Sequence, residues 1–129
     1  GLKIRCVFSL EKLAQENPLK MLLIGDPPCL RELKATLVSL GLTVVQSEQN
    51  FLEVLPPGVS KGEALAWLCA QLGVSLERVV AVGDQESDVS MIEIAGLGVA
   101  MAHAPIWVRA RAKRVVKNPL ELGNFCGPP

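Results

Sequence analysis

Apolar residues along this chain alternate between short continuous runs and spacings of three and four, the rhythm of strands and helices in turn. Lys3 to Phe8 is apolar and partly β-branched and predicts a strand, with Ser9 placed to cap a helix over Leu10 to Gln15. Lys20 to Ile24 (KMLLI) is a continuous apolar run, the mark of a buried strand. Gly25-Asp26-Pro27-Pro28 makes a turn whose prolines suit the first positions of a helix. Leu30, Leu33, Leu37 and Leu40 then recur at helical spacing, an amphipathic helix closed by Gly41. Leu42 to Gln46 and Phe51 to Leu55 are strand-like, and the polar Ser47 to Asn50 between them predicts an antiparallel hairpin. Pro56-Pro57-Gly58 breaks the pattern and reads as the boundary between two substructures.

From Ser60 a second helix is expected to about Leu72, with Ala64, Leu65, Leu68 and Leu72 on one face and Gly73 as its stop. Arg78 to Val82 (RVVAV) reads as a buried strand, followed at once by Gly83-Asp84 and then a helix to about Ala95. Leu97 to Met101 predicts another strand, Pro105 to Arg111 a short helix, and Arg114 to Val116 a last short strand. Strand, helix, strand in this rhythm means parallel βαβ units, so the class is α/β. Gly127 to Pro129 is expected to be a frayed tail.

Composition narrows the function. A chain of 129 residues, half of them apolar and a fifth charged, has the material for a real core. Thirteen basic residues balance thirteen acidic ones, which argues against a nucleic-acid backbone or an anionic membrane as partner. The one basic run, Arg109, Arg111, Lys113, Arg114 and Lys117, reads as a solvated face. No apolar run is long enough to cross a bilayer. Cys6, Cys29, Cys69 and Cys126 show no metal-like spacing, so a reduced, cytoplasmic protein is expected. His103 is the only histidine, so any metal site must be made of oxygen ligands.

The sharpest local signal is Val79-Val80-Ala81-Val82-Gly83-Asp84-Gln85-Glu86-Ser87-Asp88. An acidic residue just past the C-terminal end of a buried parallel strand lies where such sheets bind ligands. Asp84 and Asp88, four apart, suit a hard cation such as magnesium. The same pair also suits a helix start, one carboxylate as cap and the other answering the dipole. Ser60-Lys61-Gly62 opens a helix, where a lysine can address an anion at the helix N-terminus, although an exposed first-turn lysine is ordinary.

Together these strings carry more weight. Leu52-Glu53-Val54-Leu55-Pro56-Pro57-Gly58-Val59-Ser60-Lys61-Gly62 resembles the third conserved motif of the Cof-type phosphatases of the haloacid dehalogenase superfamily. Gly83-Asp84-Gln85-Glu86-Ser87-Asp88-Val89-Ser90-Met91 resembles the fourth, and Ala95 to Met101 with Ala104 matches the stretch that comes after the fourth motif in that subfamily. The resemblance runs from about Lys20 to about Leu122. It implies a partial Rossmann-like core, a parallel sheet with flanking helices, over residues 58–129, and the second half of an α/β cap with antiparallel strands over residues 1–57. It implies a magnesium-dependent phosphatase acting on a small phosphorylated metabolite such as a sugar phosphate. Lys61 would neutralise the phosphoryl group and hold the attacking carboxylate. Asp84 would be a magnesium ligand, and Asp88 would complete the acidic motif on the metal or through its water.

Three departures from the family pattern matter. Ser87 stands where the subfamily usually has asparagine, so contacts near the phosphate are expected to be weaker or water-bridged. His103 stands where asparagine is frequent and is expected to be structural or partly exposed. The DxDGT-like motif that carries the nucleophile does not occur, nor does the serine or threonine motif that precedes the cap. This chain by itself is therefore expected to be inactive and to bind magnesium poorly. The strand before Asp84 is expected to have an unpaired edge, covered by a missing N-terminal half or by a second copy of the chain. The alternative is a non-catalytic module that binds a partner or a phosphorylated ligand through Lys61 and Asp84.

Overall fold

The computed structural model describes residues 17–125 together with Ser9, Glu11, Lys12 and Gln15. The strand predicted over Lys3 to Phe8 and the tail at Gly127 to Pro129 lie outside the described residues. The helix predicted over Leu10 to Gln15 is described only at Glu11 and Lys12, which are helical, and at Gln15, in a turn.

Two sheets of different kinds make up the described chain, which is α/β as expected. The first contains β1 (Met21–Ile24), β2 (Thr43–Glu48) and β3 (Phe51–Leu55) in the order β1-β3-β2, all antiparallel. Met21 pairs with Val54, and Val44 pairs with Val54 from the other side. Alternation then puts Leu23, Val44, Leu52 and Val54 on one face. That face meets α1 (Pro27–Ser39), whose Leu30 packs with Val44 and Leu52, with Leu23, Leu37 and Leu42 around them. Two prolines open α1 where their missing N–H groups cost nothing. Leu40, expected on the packed stripe, instead caps the helix and faces solvent. The hairpin is tighter than its polar stretch suggested. Ser47 and Glu48 belong to β2, with a bulge between Gln46 and Glu48, and only Gln49 and Asn50 form the turn.

Pro56, Pro57 and Gly58 link this lobe to the second. Val59 N donates to Pro56 O at 3.3 Å and Gly58 has φ +73°, a turn that proline and glycine at its two central positions favour.

The second lobe begins with α2 (Lys61–Leu72), which ends at Gly73 in the left-handed conformation. Its sheet holds β4 (Val80–Gly83), β5 (Leu97–Met101) and β6 (Arg114–Val116), parallel and in that order. Between them lie α3 (Val89–Ile94) and α4 (Ile106–Arg109). Ile92, Ala100, Ala104 and Val108 form the core, with Val89 and Ala112 against it. Arg78, the expected start of β4, instead ends one turn of 3-10 helix over Leu76–Arg78, so the strand starts at Val80. The buried face of α2 also differs from the expected one. Gly62 and Cys69 are buried and Leu65 and Ala66 partly so, whereas Trp67, Leu68 and Leu72 are 64%, 47% and 66% exposed. Helix α2 packs on α3, and that neighbour, not the leucine spacing, selects the face. Among the described residues β4 pairs only with β5, which leaves its other edge open, as expected.

Leu52 is fully buried at the centre of the first sheet, whereas Leu22 on the neighbouring strand is half exposed. Leu52→Ala is expected to cost about 3 kcal/mol, and Leu22→Ala no more than about 0.5 kcal/mol. Urea unfolding followed by circular dichroism measures both.

Candidate active site

The loop after β4 is built around one buried carboxylate. Residues Glu86–Asp88 form a single 3-10 turn, and Asp88 at its end is only 4% exposed. Asp88 Oδ2 accepts the backbone N–H of Asp84 at 2.9 Å and that of Gln85 at 3.0 Å. Asp88 Oδ1 accepts from the Lys61 ammonium at the start of α2. Burial by itself would raise this carboxyl's pKa. The Lys61 hydrogen bond, the two backbone amides and the Lys61 charge together outweigh it and hold the carboxyl below its usual value.

Two glycines make this meeting possible. A Cβ on Gly83 would lie 2.3 Å from the Asp88 Cβ, so no larger residue fits beneath the carboxylate. A Cβ on Gly62 would lie 2.8 Å from the Ser90 carbonyl oxygen. Its absence lets α2 approach α3 until Gly62 N donates to Ser90 Oγ at 3.0 Å. Ser60 caps α2 by accepting from Glu63 N at 3.1 Å. Lys61 is thereby delivered to Asp88 by the helix start, while its side chain stays 53% exposed and open to ligand.

A cleft of about 440 Å³ lies between the two lobes. Lys61, Ser87 and Ser90 stand on one side of it, and Thr43, Val45, Glu53 and Leu55 of the first sheet's outer face on the other. Lys20 Nζ donates to Glu53 Oε2 at 3.2 Å at its wall. Lys61, Ser87 and Asp88 are thus gathered at or behind one cleft.

Asp84 is placed apart from them. It is not a lining residue of the cleft, and its Oδ2 lies 2.9 Å from His103 Nε2. His103 is exposed, as expected, but it is not idle, because its imidazole orients the Asp84 carboxylate. Asp84 Oδ1 takes no hydrogen bond among the described residues and is the one carboxylate oxygen of the loop motif free for a hard cation. Both oxygens of Asp88 are engaged. Among the described residues no three histidine, cysteine or acidic side chains converge on a metal-sized space. The donor set therefore fits one ligand's share of a magnesium site. No described helix is long and apolar enough to cross a membrane.

The sequence of the haloacid dehalogenase-like hydrolases, taken as a family, matches residues 4–123. A putative phosphatase of Haemophilus influenzae is 33% identical over 119 residues, 91% of this chain and 45% of that protein. The crystal structure of a haloacid dehalogenase-like hydrolase from Bacteroides thetaiotaomicron is similar with a TM-score of 0.63 at 36% identity, over 76% of this chain and 38% of that one. A sugar phosphatase of subclass IIB gives a TM-score of 0.80 at 23% identity over 95% of this chain and 49% of that one, a likeness of fold. The chain spans less than half the length of each of these relatives.

The depressed pKa of Asp88 has a definite sign in stability. The folded state favours the ionised carboxyl, so its contribution is complete above the usual aspartate value of about 4 and is lost as pH falls through the lower folded value. Urea midpoints measured from pH 7 to pH 2 are expected to fall more steeply in the native chain than in Asp88→Asn. At pH 7 that variant is expected to be less stable by about 1–3 kcal/mol.

Proposed function

The chain belongs to the haloacid dehalogenase-like hydrolases, and from that premise we propose that it contributes one half of a magnesium-dependent phosphatase site of the Cof type. Residues 58–129 would be the C-terminal half of the core and residues 1–57 the second half of the cap. The substrate would be a small phosphorylated metabolite such as a sugar phosphate, held in the cleft between the lobes. The observation that carries this reading is the Lys61 ammonium, pinned by the ionised Asp88 yet open to the cleft.

Lys61 is placed to pair with phosphoryl oxygens and with an attacking carboxylate, offsetting their mutual repulsion. Asp88 acts through Lys61, fixing where its charge sits. Ser87, half-buried in the cleft wall, offers a hydroxyl to a phosphoryl oxygen directly or through water. Asp84 would hold magnesium as one carboxylate ligand among waters and groups from other segments, and the ion would offset phosphoryl charge. His103 keeps the Asp84 carboxylate turned for that task.

The attacking aspartate would come from a segment other than these 129 residues. That segment would also cover the open edge of β4 and the exposed Trp67, Leu68 and Leu72 of α2. The free thiols of Cys29 and Cys69 fit a reducing, cytoplasmic setting.

Steady-state assays on the assembled protein test the reading. With a phosphate monoester and magnesium, Asp84→Asn and Lys61→Met are each expected to lower kcat by on the order of 10²–10³. Unchanged turnover in Asp84→Asn would sink the assignment.

A further inference from the structure

The two lobes are joined covalently by one turn and hydrogen-bonded to each other through one side chain. Among the described residues, every hydrogen bond or ion pair between the lobe of residues 17–55 and the lobe of residues 60–125 ends on the carboxylate of Glu86. Its Oε1 accepts from Lys34 Nζ of α1 at 2.9 Å, and its Oε2 from the same nitrogen at 3.2 Å. Oε2 also accepts the backbone N–H of Gln46 at 3.2 Å. That amide lies on β2, an edge strand of the first sheet, where it has no strand partner on that side. Glu86 therefore grips both layers of the lobe, the helix and the sheet edge.

We infer that Glu86 is a positioning residue that sets the closure of the cleft. It sits between Asp84 and Asp88 in the same short loop, so the element that pins Lys61 also fixes the opposite wall over it. Releasing Glu86 would leave Lys61 and Asp88 paired while the wall of Thr43, Val45, Glu53 and Leu55 swings away. The inference gains its catalytic meaning from the phosphatase reading but is tested without phosphate or metal, so either can fail alone.

The experiment uses the isotope-labelled chain with Cys6 and Cys126 changed to serine and a nitroxide on the exposed Cys29 of α1. In Glu86→Ala, amide exchange at Gln46 is expected to accelerate at least about tenfold, and nitroxide broadening of second-lobe amides to fall by about half or more. The amides of Asp84 and Gln85, held by Asp88, keep their native exchange rates. Lys34→Met, which removes only the α1 arm, is expected to shift the same signals in the same direction by less, and it serves if Glu86→Ala fails to fold. Native Gln46 protection and native broadening in folded Glu86→Ala, or in Lys34→Met if the former does not fold, overturn the inference.

Discussion

One buried carboxylate organises the candidate site. Asp88 has lost nearly all contact with water, and an ionised group so placed persists only if both of its oxygens are answered. Two backbone amides and an ammonium answer it here. Those three donors come from the two residues after β4 and the start of α2, so satisfying the charge forces the strand, the 3-10 turn and the helix into one arrangement. The glycines at 62 and 83 answer the same demand, because neither approach leaves room for a Cβ. What looks like a binding motif in the sequence is first a solution to a solvation problem.

That arrangement divides the labour between two aspartates that look alike in the sequence. Asp88 is inward, saturated and structural in its contacts. Asp84 is partly exposed, turned by His103, and among the described residues has an oxygen to spare. Between them Glu86 points the other way and takes hold of the first lobe. Three acids in five residues thus face three directions: the 3-10 turn sets Glu86 and Asp88 about 120° apart, and Asp84 stands before it.

Much of this was legible in advance. The apolar run at Met21 to Ile24, the leucine spacing of α1, and the strand before Gly83-Asp84 are strong local signals, and each element formed where expected apart from its ends, although Leu22 and Ile24, expected to be buried, are 50% and 70% exposed. The resemblance to the third and fourth family motifs implied that Lys61 and the acidic loop serve one site. Other features depend on neighbours that a linear pattern does not contain. Leu68 and Leu72 fit a helical stripe, yet α3 approaches from the side of Gly62 and Cys69. The Asp84–His103 pair spans nineteen residues and Lys34–Glu86 spans fifty-two, and only the fold joins them. Gly62 carried a trace of its role, since a glycine in the first turn of a helix is a poor local choice and invites a packing reason.

The turn at Pro56 to Val59 gives the weak fastening between the lobes its strength. An exposed or half-exposed ion pair between separate molecules holds almost nothing. Here the partners sit on either side of a four-residue tether that is itself closed by a hydrogen bond. Each lobe therefore meets the other at an effective concentration on the order of millimolar or above. Under that condition capture is intramolecular, and the contacts of one carboxylate hold more than they would between two free proteins.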